Sequence, residues 1–420
     1  MREIIHLQIG GCGNNISAVF WEALCKEHGI GNDGRISNTA SDIWSEKLPV
    51  YFQEVGFEPI ILETVLDNIL TSPLGQLVRR ENMALGTGSL ASSHLPGLGL
   101  NAYPMAEHVL DICRKETEAC DFLQGFQIAH SLGSSTGAGL TSSVMTDLRD
   151  EFPDRMMMTF SVLPSLVLSR SMVEVYNIAL AMKSLMSSAD ALVCMDNSEL
   201  YDICMRYLGI PTPYHRDLNR LISTAMAGLN SDLRKLTAAM VPIPMLRLLI
   251  PGVIPLNQTT STAMTTLPNM AEQLLSTKGM LVRSQVENEH RSAYSAIFRG
   301  SFSIRQVEEE IRNKITPGSV IPNDFYRSFC SASAHDSDLS ITTVANSSVI
   351  KDRLLLLSEQ ANSMLRRKAW LHWYESVGID QEDITDAHLH MQDVISEYQK
   401  LEPFRESDDE EEDWEKEEEV

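Results

Sequence analysis

The hydrophobic pattern changes period within the first thirty residues. Residues 4–9, IIHLQI, form a nearly unbroken apolar run of strand length. After GGCGNN at 10–15, Ile16, Val19, Phe20 and Leu24 recur at helical spacing up to a stop near Gly29. The pattern predicts strand, glycine loop, helix. Residues 30–62 carry no clean period. NMALGTGSLASSHLPGLGLN, 82–101, is rich in glycine and serine and reads as a long loop, a length kept for functional or disordered segments. EHVLDICRKETEAC, 107–120, is an amphipathic helix, and FQIAHS, 126–131, a strand. HSLGSSTGAG at 130–139 then leads into a helix from about Leu140 to Phe152. MMMTFSVL, 156–163, and ALVCMD, 191–196, are further strands, the second ending at Asn197. Strands alternating with helices predict an α/β fold, a parallel sheet with helices on both faces.

Beyond Ser198 the alternation loosens. SELYDICMRYLGI and DLNRLISTAMAG, 217–228, are helical, the latter stopping at Gly228. Residues 229–356 mix strands and short helices and read as a second α/β layer. Residues 347–375 carry long helical patterning. DITDAHLHMQDVISEYQKL, 383–401, is a further helix, with Asp383 or Thr385 as its cap. No fixed-period repeat is present.

Composition narrows the partners. The chain has 420 residues and 46.9 kDa with 43% hydrophobic residues, enough for two or three packed domains. A net charge of −23 argues against a nucleic-acid partner. Eleven carboxylates against one lysine crowd Glu406–Val420, a tail expected to be disordered, serving either solubility or attraction of basic partners. Seven irregularly spaced cysteines without a CxxC favour a reduced setting over a disulfide framework or zinc site. No run approaches the roughly 18 apolar residues of a membrane span. The first residues enter a strand directly, without a leader's hydrophobic stretch. A soluble protein is expected.

The two glycine loops are the candidate chemistry. Each follows a strand and precedes a helix, at the sheet edge where ligands bind. Helix N-termini and successive main-chain N–H groups grip phosphate without a lysine. GGCGNN reaches Ile16 where a dinucleotide fingerprint needs its third glycine, and no GxxxxGK[ST] occurs. Either loop alone is as readily a structural turn. Both in one sheet, with the Gly/Ser-rich stretch at 86–93, favour a ligand. His388 and His390, two apart, do not share a helix face. The twenty methionines read as core filler, and Cys12 as a packed thiol. No Ser-His-Asp or Cys-His arrangement has supporting context.

The runs MREIIHLQIGGCGNNI, LQGFQIAHSLG, GLTSSVMTDLRDEFPDR, MDNSELYDIC, LNSDLRKLTAAMVPIP, AIFRGSFS and LRRKAWLHWYE, followed by an acidic tail, resemble the β-tubulin family along the whole chain. The resemblance implies a tubulin-like fold: a GTP-binding domain over 1–197, a core helix region at 198–228, an intermediate α/β domain at 229–357, C-terminal helices at 358–402 and a tail at 403–420. It also implies GTP/GDP with Mg²⁺, pairing with α-tubulin, head-to-tail assembly into the microtubule lattice in the cytoplasm, and recruitment of basic microtubule-associated proteins and motors by the tail. By position, Gly10, Gly11 and Cys12 fall on the first phosphate loop, and Ser131, Gly133, Ser135, Thr136 and Gly137 on the second. Asn197 and Asn219 match the guanine-recognising asparagines. His215, with Tyr214 beside it, matches the stacking aromatic, and Glu63 is the carboxylate nearest Mg²⁺. Lys235 stands where α-tubulin carries the glutamate that activates water for its neighbour's nucleotide. Hydrolysis would thus need a carboxylate from the adjoining subunit.

Several positions depart from that pattern. A glycine triplet has become Gly133-Ser134-Ser135, adding Cβ atoms and restricting positive φ. Gly11 replaces a glutamine, and Arg170 an aspartate. About ten residues are missing between Gly228 and Leu229, roughly 15 Å of helix, and NQTTSTAMTT at 257–266 lacks the family's arginine and glycine. These changes keep open a specialised or regulatory tubulin-like subunit with impaired hydrolysis or polymerisation. A nicotinamide oxidoreductase on a doubly wound sheet is disfavoured by the failed fingerprint.

Overall fold

A computed structural model describes residues 3–31, 34–36, 50–53, 56–57, 60–62, 75, 77–84, 99–165, 171–229, 232–256, 266–276, 279–282, 291–314, 325–332 and 339–401. In chain order the elements are β1 (Glu3–Ile9), α1 (Gly10–Glu27), β2 (Phe52–Gln53), β3 (Gly56–Phe57), β4 (Ile60–Leu62), β5 (Met83–Ala84), α2 (Gly99–Ala119), β6 (Leu123–Ser131), α3 (Thr141–Glu151), β7 (Met156–Leu163), α4 (Glu174–Ser188), β8 (Ala191–Asp196), α5 (Asn197–Arg206) and α6 (His215–Gly228). There follow α7 (Leu233–Met240), β9 (Leu248–Ile254), α8 (Leu267–Leu275), β10 (Arg291–Gly300), α9 (Ile304–Lys314), β11 (Phe325–Cys330), β12 (Leu339–Ser347), α10 (Val349–Arg366), α11 (Leu371–Glu375) and α12 (Gln381–Gln399).

One sheet runs through the molecule in the order β11-β10-β12-β9-β8-β7-β6-β1-β4-β5. From β5 to β9 every pairing is parallel. β12 then lies antiparallel to both β9 and β10. Helices cover both faces, so β6, β7 and β8 are buried nearly end to end and read as continuous apolar runs. Alternate side chains divide between two cores. Ile5, Leu7 and Ile9 pack with α2, α3, α4, α10 and α12. Ile4, Ala129, Phe160 and Val193 pack with α1, α6 and α7. This is the mixed α/β architecture expected from the sequence.

The structure moves several boundaries. α2 begins at Gly99, so the predicted loop at 82–101 holds β5 at one end and a helix start at the other; residues 85–98 lie outside the described residues. α4 escaped the periodicity reading because its buried residues, among them Tyr176, Asn177, Ile178 and Ala179, lie all around the helix. The predicted helical stretch 347–375 is broken by left-handed backbone at Lys368 and Trp370. α12 is capped by neither Asp383 nor Thr385. Asp380 is its N-cap, and the Asp383 carboxylate accepts the Asp380 N–H at 3.0 Å. Among the described residues, no helix is long and apolar enough to cross a membrane, and no disulfide joins any of the cysteines.

The chain itself seals the end of α6. Leu229 donates its N–H to Ala225 and Met226, and a Cβ at Gly228 would lie 1.8 Å from Thr342 Oγ1. Arg299 donates to the Ala227 carbonyl and pairs at 2.8 Å with Glu27, both side chains buried. This helix stops against β10 and β12.

Candidate functional site

Four strand ends share one edge of the sheet. The registers Gln8↔Ala129, Ser131↔Val162 and Leu163↔Asp196 set the carboxyl ends of β1, β6, β7 and β8 side by side. Both glycine loops lie there, at the edge where open α/β sheets bind ligands.

The first loop is a direct passage from β1 into α1. Gly10 takes φ +74°, a conformation that L side chains resist. Gly13 lets α1 press against β6: a Cβ there would stand 2.2 Å from the Ala129 carbonyl oxygen. No carboxylate occupies the first turn of α1, so the positive end of the helix dipole is unopposed locally. Gly11 and Cys12 are half-buried at this end. Burial pushes the Cys12 thiol up to about 12, which suits a packed thiol rather than a nucleophile. Beneath the loop, His6 donates from Nδ1 to Gln127 and accepts at Nε2 from Ser17, at 3.1 and 2.9 Å. Desolvation lowers its pKa to about 4, against the smaller opposing effect of the Gln127 bond, so it is neutral.

The second loop is built differently. The Ser134 hydroxyl accepts the Gly137 N–H at 3.1 Å and lies 2.7 Å from the Ser131 hydroxyl. The Ser134 carbonyl accepts the Ala138 N–H at 2.8 Å. Because Ser135 is already helical, Ser134, the residue before it, caps the turn that follows through its side chain. That turn, Thr136–Leu140, is of the wide π type and runs on into α3; such turns recur at functional sites. The loop accommodates its serines without positive φ. Ser135 sits at φ −57°, ψ −50°, and among the described residues left-handed non-glycine backbone occurs at Lys368 and Trp370 only. Ser135 and Thr136 are 7% and 8% exposed, whereas Ser134 is the loop's exposed hydroxyl.

Polar contacts behind the loop fix its shape. Asn177 of α4 donates to the Gly133 carbonyl at 2.8 Å and accepts from the Tyr374 hydroxyl at 2.6 Å. His130 donates from Nδ1 to the Gly137 carbonyl and accepts at Nε2 from Ser161, both at 2.8 Å. Burial lowers the His130 pKa to about 4. Sequence reasoning missed His130, Ser134 as a cap and Asn177. The one available signal was a lone asparagine in an apolar stretch, since a buried amide requires partners.

Asn197 is the first residue of α5, and Asn219 lies on α6. Both are half-buried, on helices packed together through Leu200, Ile203, Leu218 and Ile222. His215 opens α6 with its ring 6.5 Å from that of Tyr201, and Tyr214 is 75% exposed. Glu63 and Arg170 lie outside the described residues, as do 257–265 and the tail. Among the described residues no group of three His, Cys, Asp or Glu side chains is placed to hold a metal. Lys235 is elsewhere. Its N–H caps onto Asp232 at 3.2 Å in the first turn of α7, and α7 starts where Leu233 donates to Gln124 at the opposite end of β6.

Residues 3–205 match the model of the Tubulin/FtsZ family, GTPase domain. Over this segment the chain is similar to the tubulin/FtsZ superfamily. The match runs from β1 into α5, so it contains both loops and Asn197, while His215, Asn219 and Lys235 lie beyond it. A tubulin/FtsZ GTPase domain implies GTP and GDP as ligands and a cytoskeletal setting. The strand-end edge fits a nucleotide's phosphates at the first loop, where Gly10 keeps the main chain bare and Gly13 lets the start of α1 sit close against β6. The second loop fits with one change: the Ser134 hydroxyl already takes one N–H.

Proposed function

We propose that the chain is a divergent β-type tubulin subunit. It binds GTP at the β1, β6, β7 and β8 edge, pairs with an α-type subunit and polymerises head to tail. Gly10, Gly11, Cys12, Ser131, Gly133, Ser135, Thr136 and Gly137 hold the phosphates through main-chain N–H groups and hydroxyls. Asn197 and Asn219 read guanine, with His215 or Tyr214 stacking on it. Mg²⁺ would accompany the triphosphate, with Glu63 as the nearest carboxylate by resemblance. The acidic tail would draw basic microtubule-associated proteins and motors.

The carrying observation is that the loops and Lys235 occupy opposite ends of β6. Gln124 and Ser131 are seven residues apart, about 23 Å along a strand. A head-to-tail neighbour thus meets the loops of one subunit with the α7 end of the next. Lys235 offers that neighbour a cation, which favours its phosphates but cannot activate water as a base. The carboxylate for this chain's own GTP would come from the α-type neighbour, tying hydrolysis to assembly.

The test is to purify the chain with an α-tubulin partner and quantify bound nucleotide before and after polymerisation. GTP in the soluble dimer and GDP in the polymer are expected. A dimer with an empty pocket that takes up no labelled GTP with magnesium overturns the reading. Closure of α6 against Thr342 and Arg299 favours a second reading, a specialised subunit that binds nucleotide but limits assembly. Its mark is a GTP-loaded dimer that lowers polymer mass when added to growing microtubules.

A further inference from the structure

A buried arginine from α10 reaches the base end of the site. Arg353 is 9% exposed, and its partner Asp196, the last residue of β8, is 1% exposed. Nε stands 3.1 Å from Asp196 Oδ2, while the guanidinium donates to the Pro164 carbonyl at 2.6 Å. Asp196 Oδ1 caps α5 by accepting the Ser198 N–H at 2.9 Å, and the Ser198 hydroxyl donates to that of Ser165 at 2.9 Å. The ion pair and these hydrogen bonds together close a ring over the ends of β7 and β8: Arg353, Pro164, Ser165, Ser198, Asp196. Asn197 is the one residue between the two gripped positions Asp196 and Ser198. A buried ion pair is weak evidence for stability, because desolvation offsets its attraction; fixing a unique geometry is the better-attested use.

We propose that Arg353 is a positioning residue for base recognition. By clamping Asp196 from outside the nucleotide-binding strands, it holds Asn197 at the pocket mouth, so that purine selectivity depends on a residue of α10. This role rests on the guanine-nucleotide reading above. It differs from a packing role in what it controls. Loss of packing weakens all ligands together, whereas loss of the clamp weakens the base contact and spares the phosphates.

The experiment compares wild type, Arg353→Leu, Arg353→Lys and the charge-balanced double variant Arg353→Leu/Asp196→Asn, each as full chain with an α partner. GTP and ATP affinities are read by displacement of a fluorescent GTP, and amide hydrogen exchange at Ser198 and Gly137 is read in the same samples. Arg353→Leu is expected to lower the GTP-to-ATP preference about tenfold, the scale on which a recognition group held too loosely acts. It should speed exchange at Ser198 without changing Gly137, and Arg353→Lys should restore part of the preference. The double variant keeps the test alive if a lone buried aspartate prevents folding. Equal weakening of both nucleotides, or an unchanged preference, overturns the clamp while leaving the site intact. Wild type that binds neither nucleotide overturns the guanine reading and, with it, this role; faster Ser198 exchange in Arg353→Leu would then mark only a structural tie.

Discussion

The loop after β1 and the loop after β6 sit on one sheet edge, on neighbouring strands, and keep their shapes by different means. The first is shaped by missing atoms: Gly10 is left-handed, and Gly13 leaves room for the Ala129 carbonyl. The second keeps right-handed backbone and is shaped by added atoms. Ser134 caps it, Asn177 holds the Gly133 carbonyl and His130 the Gly137 carbonyl. Steric exclusion tolerates little change. A polar network can exchange one partner for another, including an anion, at a cost near that of a hydrogen bond. Two loops with one expected job thus respond differently to substitution.

The largest expected effect comes from acid, because both loops stand on a buried neutral histidine. His6 and His130 have pKa values lowered to about 4 by burial, while their unfolded values lie near 6.5. The unfolded chain therefore takes up the proton first. Each histidine contributes fully above about pH 6.5, and that contribution is lost as pH falls toward 4, about 3 kcal/mol for each between pH 7 and pH 4. Denaturant titrations at pH 7, 5.5 and 4 on wild type, His6→Asn and His130→Asn measure this. Each variant should show a shallower loss of stability with acid. A variant as acid-sensitive as wild type would remove that histidine from the support of its loop.

Next in size is a pair of glycine substitutions. Gly13→Ala sets a Cβ against the Ala129 carbonyl inside the β6 ladder, and a loss of about 3 kcal/mol is expected. Gly137→Ala meets the Ser131 carbonyl and the Ser134 hydroxyl, each at 2.6 Å, at a loop rather than in mid-strand. About 1 kcal/mol is expected there, partly relieved when Ser134→Gly is added, since residues in contact do not act additively. Equilibrium unfolding of these three variants and of Ser134→Gly alone reads these values. Equal losses at Gly13 and Gly137 would abolish the distinction between the loops.

The difference also explains what the sequence made legible. Met156–Leu163 and Ala191–Asp196 match their predicted strands residue for residue, because burial on both faces leaves an unbroken apolar run. Both loops were visible because glycine is a local signal. The supports of the second loop were not, because they come from afar: Asn177 is 44 residues from Gly133, and Tyr374 is 197 from Asn177. Arg353 reaches Pro164 across 189 residues. Ser134 lies between these cases. Its three-residue spacing to Gly137 is that of an N-cap, but beside a glycine-rich family pattern it read as a glycine lost rather than a cap gained.

The smallest effect on stability tests that cap. Ser134→Ala removes the oxygen that accepts the Gly137 N–H, and about 1 kcal/mol of stability should go with it. Ser134→Gly should lose only a few tenths of a kcal/mol, since glycine is tolerated at an N-cap. On the proposed nucleotide the order reverses. Wild type must part the Ser134–Gly137 bond before a phosphate oxygen can use that N–H, and a neutral hydrogen bond of this kind is worth about 1 kcal/mol net. Ser134→Gly should therefore bind GTP about fivefold more tightly in a displacement titration, although it is slightly less stable. Unchanged affinity would mean that the hydroxyl moves aside or itself donates to the phosphate. The second loop would then be as open as the first, and the serine would be a cap with no bearing on the ligand.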